Sequence, residues 1–442
     1  MSFRYFPHTD EDLKEMLRVV GVDSLDALYA EVPEELKLQR ELDIPAAKSE
    51  VEVMAAAEAL ARRNKPLVCF AGAGAYDHFT PSVIPYLASR SEFSTSYTPY
   101  QAEISQGTLQ YIFEYQSMMA ELTGMDISNA SMYDGSTATA EAMMMCVASA
   151  KKRRRVLISE TVAPNVRQVV ATYARFHGVE LDTIAASEGV TDKNDLDAKL
   201  AAGDVAGVIC QQPNCYGLIE DFSGFADACH NEKALFVLNT KAQALGVLKT
   251  PGEWGADIAC GDAQTLGIPL CFGGPYIGYL CTKNALVRKM PGRLVGATTD
   301  ADGRRCFVLT MQAREQHIRR EKATSNICTA QGVMCLYVAA YLSLMGPEGL
   351  RKVCEHAYSG AHVLEEKLLA TGKFEKVFAR DYFNEFCLRY KGSVDALLAA
   401  CAEQGYLAGV KAGDSDDLLL VAVTEKRTEE EMNRLCEIIK SL

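Results

Sequence analysis

The feature that most constrains this chain is an alternation of short apolar runs with helix-length amphipathic segments, which begins at Pro66. Short apolar runs bounded by turn residues are typical of strands buried on both faces. Because a helical segment follows most of them, the pattern indicates an α/β fold whose sheet is mostly parallel and has helices on both faces. The predicted strands are residues 67–70, 156–158, 179–184, 205–210, 235–238, 258–260 and 276–281, and the predicted helices are 109–122, 138–150, 166–177, 196–202 and 222–231.

Changes in the pattern of apolar, charged and turn residues along the chain predict three domains. Capping signals at Thr9 and Ser49 begin helices ahead of Pro66. After the charged stretch 314–322, helices at 330–344 and 347–371 lead into strand-like runs at 385–388 and 418–423. The predicted domains are a helical N-terminal extension (1–65), a large α/β domain (66–320) and a smaller C-terminal α/β domain (321–442).

Charge and composition exclude several function classes. The net charge of −13 argues against nucleic acid, because neutralising phosphates needs a clustered basic surface. No apolar run reaches the roughly 18 residues that a membrane span needs, so we expect no membrane partner and a cytoplasmic location. The 15 cysteines are scattered without a Cys-x-x-Cys pair, which predicts reduced thiols and no metal site.

Residues 261–275 carry the most specific motif, Gly-Asp-Ala-Gln-Thr-Leu-Gly-Ile-Pro-Leu-Cys-Phe-Gly-Gly-Pro. The motif resembles the cofactor-lysine segment of the P-protein family of the glycine cleavage system, whose catalytic members carry His-Lys-Thr five residues before a proline. Gln264 stands at the lysine position, five residues before Pro269, and Ala263 replaces the histidine. A Schiff base needs a primary amine, which an amide does not provide. No catalytic residue is therefore predicted in this chain.

The resemblance covers nearly the whole chain, from Tyr-Phe-Pro-His at residues 5–8 to the charged segment 314–328, and is weakest after about residue 372. It implies a fold-type I pyridoxal-phosphate transferase architecture. It also implies a complex that decarboxylates glycine and passes the aminomethyl group to the lipoyl arm of H-protein. This chain would be the non-catalytic half of a split P-protein, and a lysine-bearing partner subunit would hold pyridoxal phosphate covalently.

Two further segments correspond to cofactor-handling positions of this fold. Gly135, Ser136 and Thr137 open a predicted helix, and a helix start offers free N–H groups to a phosphate. They form a possible vestigial phosphate cradle, although simple capping of the helix by Asp134 or Ser136 explains the same residues. Asn239 ends a strand where the fold places an aspartate against the ring nitrogen, and a neutral amide cannot replace that carboxylate.

The loop at 95–107 is rich in tyrosines and polar side chains, which suits a pocket wall or a partner interface. It matches a loop of the P-protein family that approaches the active site between paired halves. By this resemblance Tyr97, Tyr100, Glu103 and Ser105 are candidates for a shared wall.

The segment 314–328 supplies Arg314, Arg319, Arg320 and Lys322 ahead of a predicted helix. These cations suit either an anionic group or ion pairs between the two larger domains. We expect domain bracing, and a structural role for His317 in the same stretch.

Two other functions stay open. The chain could be an independent pyridoxal-phosphate enzyme that uses Lys241 as its cofactor lysine, although a lysine at a strand end is more often solvent-facing than buried and activated. A chain that keeps the cradle at 134–138 would instead be a non-catalytic regulatory protein that binds the cofactor or another anion.

Overall fold

The structure is a computed structural model that describes residues 7–413 and 415–442. Residues 1–6 of the predicted N-terminal extension, with Tyr5 and Phe6 of the family motif, lie outside the described residues. The chain forms two compact units, Met1–Lys65 and Pro66–Leu442. The division of the second unit into a large and a C-terminal domain at residue 320 stays a prediction.

Two capped helices make up most of the regular structure in the described part of the first unit. Helix α1 (Asp10–Val20) begins at a capping box between Thr9 and Asp12 and ends at Gly21, whose φ of 84° suits a left-handed C-cap. Helix α2 (Glu50–Ala61) begins at a second capping box, which Ser49 forms with Glu52. Both capping signals predicted from the sequence are confirmed.

The second unit contains the remaining elements. Its strands are β1 (Val68–Cys69), β2 (Ile127–Ser128), β3 (Arg155–Ser159), β4 (Glu180–Ile184), β5 (Ala186–Ser187), β6 (Val190–Thr191), β7 (Val205–Gln212), β8 (Leu235–Thr240), β9 (Ile258–Asp262), β10 (Gly278–Thr282), β11 (Leu294–Thr299), β12 (Arg305–Thr310), β13 (Phe374–Lys376), β14 (Glu385–Tyr390), β15 (Tyr406–Leu407), β16 (Val410–Lys411) and β17 (Leu418–Ala422). Its helices are α3 (Val83–Ala88), α4 (Ser91–Ser94), α5 (Gln106–Thr123), α6 (Gly135–Ser149), α7 (Pro164–His177), α8 (Lys193–Leu200), α9 (Phe225–Asn231), α10 (Gln316–Arg319), α11 (Gly332–Ala370), α12 (Val394–Glu403) and α13 (Glu429–Ser441).

A seven-stranded sheet with the order β2-β10-β9-β8-β7-β3-β4 forms the centre of the second unit. Strands β4, β3, β7, β8 and β9 run parallel, whereas β10 runs antiparallel to both of its neighbours. The prediction of a mostly parallel sheet is confirmed. The carboxyl ends of β8 and β9 lie side by side, and this edge receives the residues predicted to handle a cofactor.

The predicted strand at 67–70 does not join this sheet. Strand β1 pairs in parallel with β15, near the end of the chain. Phe70 is fully buried in an apolar cluster with residues of β14 and β17, including Phe386 and Val421. Its apolar character therefore reflects packing against the C-terminal sheet, which a pattern confined to residues 67–70 cannot indicate.

Helix α11 contains both long helices predicted after residue 330. Gly346, with φ 60° and ψ −178°, interrupts it just before Pro347, so the two predicted segments are confirmed with a break between them. By length and composition the helix is apolar enough to cross a membrane. Apolar residues along it, among them Cys335, Val338 and Tyr341, are buried in a core cluster with α5 and the sheet, and 28% of its most apolar stretch is buried in the structure.

The C-terminal part is built on an antiparallel sheet with the order β13-β14-β17-β16. Helices α12 and α13 bury Leu397, Leu435 and Ile439 in the same apolar cluster as the inward residues of β14 and β17. Leu388 and Leu419 face each other in the register of those two strands and are fully buried.

Candidate functional site

Gln264 lies two residues after the end of β9 and is fully buried. Its Oε1 accepts a hydrogen bond from the backbone N–H of Tyr76 at 2.9 Å. Its Nε2 donates to the carbonyl oxygens of Tyr76 at 3.0 Å and Ile268 at 2.7 Å. At the position predicted to correspond to the family's cofactor lysine, the amide thus holds two stretches of backbone together. All three of these hydrogen bonds are made to backbone groups of the protein.

Asp262, the last residue of β9, lies against the start of α6. Its Oδ1 accepts from the N–H of Gln264 at 2.7 Å, and its Oδ2 accepts from the N–H of Gly135 at 3.3 Å. Burial raises the pKa of Asp262 to about 7, against the opposing effect of these two donors. At the predicted phosphate cradle, the Gly135 N–H therefore donates its hydrogen bond to a carboxylate of this chain.

The backbone is equally close at this point. A Cβ placed on Gly135 would lie 2.8 Å from the nitrogen of Asp262 and 2.9 Å from the carbonyl carbon of Gly261. Asp134 caps α6 by accepting from the N–H of Thr137 at 2.8 Å, so the capping interpretation of this motif is confirmed. Ser136 and Thr137 are half-buried, and the helix start is packed directly against the end of β9.

Asn239 on β8 also has an internal partner. It is 7% exposed, and its Nδ2 donates to Oγ1 of Thr139 at 2.7 Å. Thr139 lies one turn into α6 and donates in turn to the carbonyl oxygen of Gly135. The amide is bound to the helix, and it supplies no carboxylate to a protonated ring nitrogen.

Pyridoxal phosphate therefore does not fit the residues present at this edge of the sheet. Gln264 has no nucleophilic amine, the Gly135 N–H at the start of α6 is bound by Asp262, and Asn239 is bonded to Thr139. Asn239 and Asp262 instead connect β8 and β9 to α6, and Gln264 holds the backbone at Tyr76 and Ile268. The arrangement supplies structural hydrogen bonds, and no covalent step is assigned to it.

Lys241 is half-buried and its amine contacts the protein, so the expectation of a solvent-facing lysine at this strand end is wrong. Its Nζ lies 3.5 Å from the centre of the Tyr76 ring and donates to Oδ1 of Asn384 at 2.7 Å. Burial lowers the pKa of Lys241 to about 8, against the opposing charge of Glu385. The Tyr76 hydroxyl donates to Glu385 at 2.7 Å, so the lysine is one member of a buried polar cluster.

The predicted wall residues lie at or near the surface. Tyr97 is 82% exposed, Glu103 is exposed and Ser105 is half-buried. Tyr100 is 48% exposed, and its hydroxyl accepts a hydrogen bond from Nη2 of Arg293 at 2.9 Å. The loop thus presents aromatic and polar side chains to solvent, and Tyr100 connects it to the body of the protein.

Bracing of the two larger domains by segment 314–328 stays a prediction, because the predicted boundary between those domains, at residue 320, lies within the segment. Arg314 donates to the carbonyl oxygen of Met290, and Ser325 donates to Glu141, both partners in the large α/β region. Arg319, Arg320 and Lys322 are exposed and take part in no ion pair with the described residues of the C-terminal region. The segment packs back onto the region that precedes it.

Sequence reasoning missed several buried charged residues around these sites. Glu141 is 5% exposed on α6, and burial raises its pKa to about 7. Arg293 is 6% exposed, and Glu385 is 3% exposed. Because their partners lie far away in the chain, no local pattern marks them. An isolated glutamate within the apolar helix α6 was the one available signal.

The sheet, the flanking helices and the site at the ends of β8 and β9 define the class as the fold-type I architecture of pyridoxal-phosphate-dependent enzymes. Sphingosine-1-phosphate lyase of Burkholderia pseudomallei shares this fold with a TM-score of 0.68 at 11% identity, over 93% of this chain and 94% of that one. Alanine–glyoxylate aminotransferase of Nostoc sp. shares it with a TM-score of 0.62 at 14% identity, over 92% and 98% of the chains.

A family profile of the glycine cleavage system P-protein matches residues 3–439, and the chain belongs to that family. It is 48% identical to a probable glycine dehydrogenase (decarboxylating) subunit 1 of Geobacillus thermodenitrificans, over 98% of both chains. It is 46% identical to the protein of the same description in Moorella thermoacetica, over 99% of both. A crystal structure of glycine decarboxylase (P-protein) in inhibitor-bound form has a TM-score of 0.93 at 44% identity, over 99% of this chain and 100% of that one.

Proposed function

We propose that this chain is subunit 1, the alpha subunit, of glycine dehydrogenase (decarboxylating), an oxidoreductase complex of glycine catabolism. The complex decarboxylates glycine and transfers the aminomethyl group to the lipoyl arm of H-protein. A lysine-bearing subunit 2 holds pyridoxal phosphate covalently, and this chain binds none covalently. Relatives that share nearly the full length and are described as subunit 1 support this proposal.

The observation that carries the division of labour is the buried amide of Gln264. Because its two polar atoms bond the backbone at Tyr76 and Ile268, the position serves folding and offers nothing to an aldehyde. Asp262 at the start of α6 supports the same conclusion, since it competes directly with any phosphate there.

This chain contributes surface to the complex. Tyr97, at 82% exposure, and Ile104, at 80%, stand on the loop ahead of α5. Large exposed side chains of this kind are enriched in protein interfaces, where their burial stabilises the complex. Tyr97, Tyr100, Glu103 and Ser105 are assigned to a wall that faces the partner's active site. We place the complex in the cytoplasm.

Co-expression with a lysine-bearing P-protein subunit tests the proposal. Glycine decarboxylation, measured as exchange of labelled carbon dioxide in the presence of lipoylated H-protein, is expected only when both subunits are present. The purified chain with added pyridoxal phosphate is expected to be inactive. Activity of the chain alone, or full activity of the partner without this chain, overturns the proposal.

The main rival is an independent enzyme that uses Lys241. Its lowered pKa favours this rival, because more of the amine is neutral near neutral pH. The position of Lys241 argues against this rival, because its amine is enclosed between the Tyr76 ring and Asn384. Borohydride reduction of the chain with pyridoxal phosphate, followed by peptide mapping, distinguishes the two.

A further inference from the structure

The described part of the first unit, residues 7–65, forms helices without a core of its own. None of these residues is buried, and only four of them, among them Leu13 and Leu17, are half-buried. Burial of apolar side chains is the main contribution that offsets the entropy lost when a segment becomes ordered. Residues 7–65, called here the N-terminal arm, therefore need a surface outside themselves to pack against.

The arm is also far richer in exposed apolar side chains than the rest of the chain. Fifteen large apolar side chains of the arm are 37–78% exposed, and the described residues of 66–442, a stretch more than six times as long, expose the same number. Solvated linkers and disordered segments are poor in such residues. Together these side chains present on the order of 1,500 Å² of surface, whereas one partner contributes about 800 Å² to a stable interface.

Helix α1 carries its apolar side chains on one side. Leu13, Met16, Leu17 and Val20 recur at intervals of three and four residues, and acidic or basic residues occupy most of the other positions. This spacing is typical of a helix that packs one face against a larger surface.

Helix α2 is apolar over most of its circumference. Three glutamates are its only charged residues, and all twelve of its residues are exposed. A helix of this composition is normally buried, and an isolated helix shorter than about 12–15 residues is marginal in water. The capping boxes at Thr9 and Ser49 prepare the ends of α1 and α2, but packing has to supply the rest of their stability.

The charge of the arm favours a partner other than a second copy of this chain. The arm has 14 acidic and 8 basic residues, and residues 66–442 have 44 acidic and 36 basic residues. Protein interfaces bring together surfaces of opposite potential. Because a second copy would be acidic on both sides of the contact, the arm suits a different chain whose apolar surface is bordered by lysine and arginine.

We propose that the N-terminal arm docks on the lysine-bearing subunit through the apolar faces of α1 and α2. The inference rests on the proposed function, which supplies that subunit. It adds a docking surface in the first unit to the loop at 95–107 in the second. On this assignment the arm supplies much of the affinity between the subunits, and the loop faces the active site.

Hydrogen exchange on the full-length chain, alone and in complex with the lysine-bearing subunit, tests the docking. In the isolated chain the amides of α1 and α2 are expected to exchange nearly as fast as those of an unstructured peptide. In the complex their exchange is expected to slow by about a hundredfold or more. Strong protection of both helices in the isolated monomer would show that the arm folds on its own chain and overturns the inference, as does exchange that stays unchanged in the complex.

Paired substitutions measure the contribution of the arm to affinity. Glutamine keeps the helix propensity and approximate size of leucine and methionine, so Met16→Gln combined with Leu60→Gln removes apolar contact and leaves the helices able to form. Sedimentation analysis is expected to show binding to the lysine-bearing subunit weakened on the order of a hundredfold. The matched control, Lys14→Gln with Glu58→Gln, changes exposed polar side chains on the same two helices and is expected to bind like the wild type.

Equal affinity of the apolar pair and the control pair overturns the inference. A dimer of the isolated chain that the apolar pair dissociates also overturns it, because a second copy would then be the occupant. Glycine decarboxylation by the wild-type complex is measured separately, at saturating partner. An active complex whose affinity ignores the apolar pair refutes this inference alone, whereas an inactive complex that still binds through the arm refutes the proposed function alone.

Discussion

Replacing Gln264 by leucine tests whether the amide at the lysine position serves folding. The two side chains have similar volume, but leucine removes the three hydrogen bonds that Gln264 makes. The carbonyl oxygen of Tyr76 keeps a bond from the N–H of His78, at 3.0 Å. The N–H of Tyr76 and the carbonyl oxygen of Ile268 would lose their partner in a region from which water is excluded.

The size of the effect follows from these two groups. Each buried polar group left without a partner costs about 1–3 kcal/mol, and greater burial of apolar surface by leucine offsets about 1–2 kcal/mol. We expect Gln264→Leu to lower the free energy of unfolding by about 3 kcal/mol. For a unit of this length that corresponds to a decrease in Tm of roughly 3–6 °C.

Thermal unfolding and hydrogen exchange measure this prediction together. The Tm is compared with that of Gln110→Leu, a glutamine exposed on α5, whose change is expected to stay within about 0.5 kcal/mol. The amide of Tyr76 is expected to lose exchange protection in Gln264→Leu and to keep it in the control. A Tm equal to that of the wild type, with the Tyr76 amide still protected, would refute a structural role for the amide.

Three further predictions concern Asp262, Lys241 and Tyr97. Because the folded pKa of Asp262 is about 7 and its ordinary value is 3.8, the stability it contributes is present below about pH 4 and lost as the pH rises through 7. Asp262→Asn should therefore gain about 2–4 kcal/mol over the wild type between pH 4 and pH 8 in urea denaturation, and a gap independent of pH contradicts this. Treatment with pyridoxal phosphate and borohydride at pH 8 should label the exposed Lys152 and leave Lys241 unlabelled, because the Tyr76 ring covers the amine of Lys241. A pyridoxyl group mapped to Lys241 would argue for the independent enzyme. Tyr97→Ala should leave the Tm of the isolated chain unchanged and weaken binding to the lysine-bearing subunit by about tenfold in sedimentation analysis, and an unchanged affinity removes Tyr97 from the interface.

The elements of the large sheet were predictable because each has its own local signal. Strands β3, β7 and β8 are short apolar runs, and α6 begins at an Asp-Gly pair whose capping role is visible in four consecutive residues. Strand β1 was assigned to the wrong sheet because its partner, β15, lies more than 300 positions later in the chain. Local pattern determines that a strand forms, but long-range packing determines where it pairs.

The chemistry of the site was predictable only in part, for the same reason. The missing lysine is visible in the sequence at Gln264, but the bonds of its amide to Tyr76 span 188 positions. The bond from Gly135 to Asp262 spans 127 positions. Lys241 looked solvent-facing because nothing near it in the chain indicates that the Tyr76 ring and Asn384 enclose its amine.

The paired hydrogen bonds between Gln264 and the Tyr76 backbone limit which side chains this position can hold. A lysine substituted for Gln264 would leave the Tyr76 N–H without its acceptor and would place an ammonium group in a fully buried position. It would also bring a second amine towards Tyr76, whose ring Lys241 already contacts. Gln264→Lys is therefore expected to destabilise the fold, so adding a lysine at this position would require further changes around Tyr76.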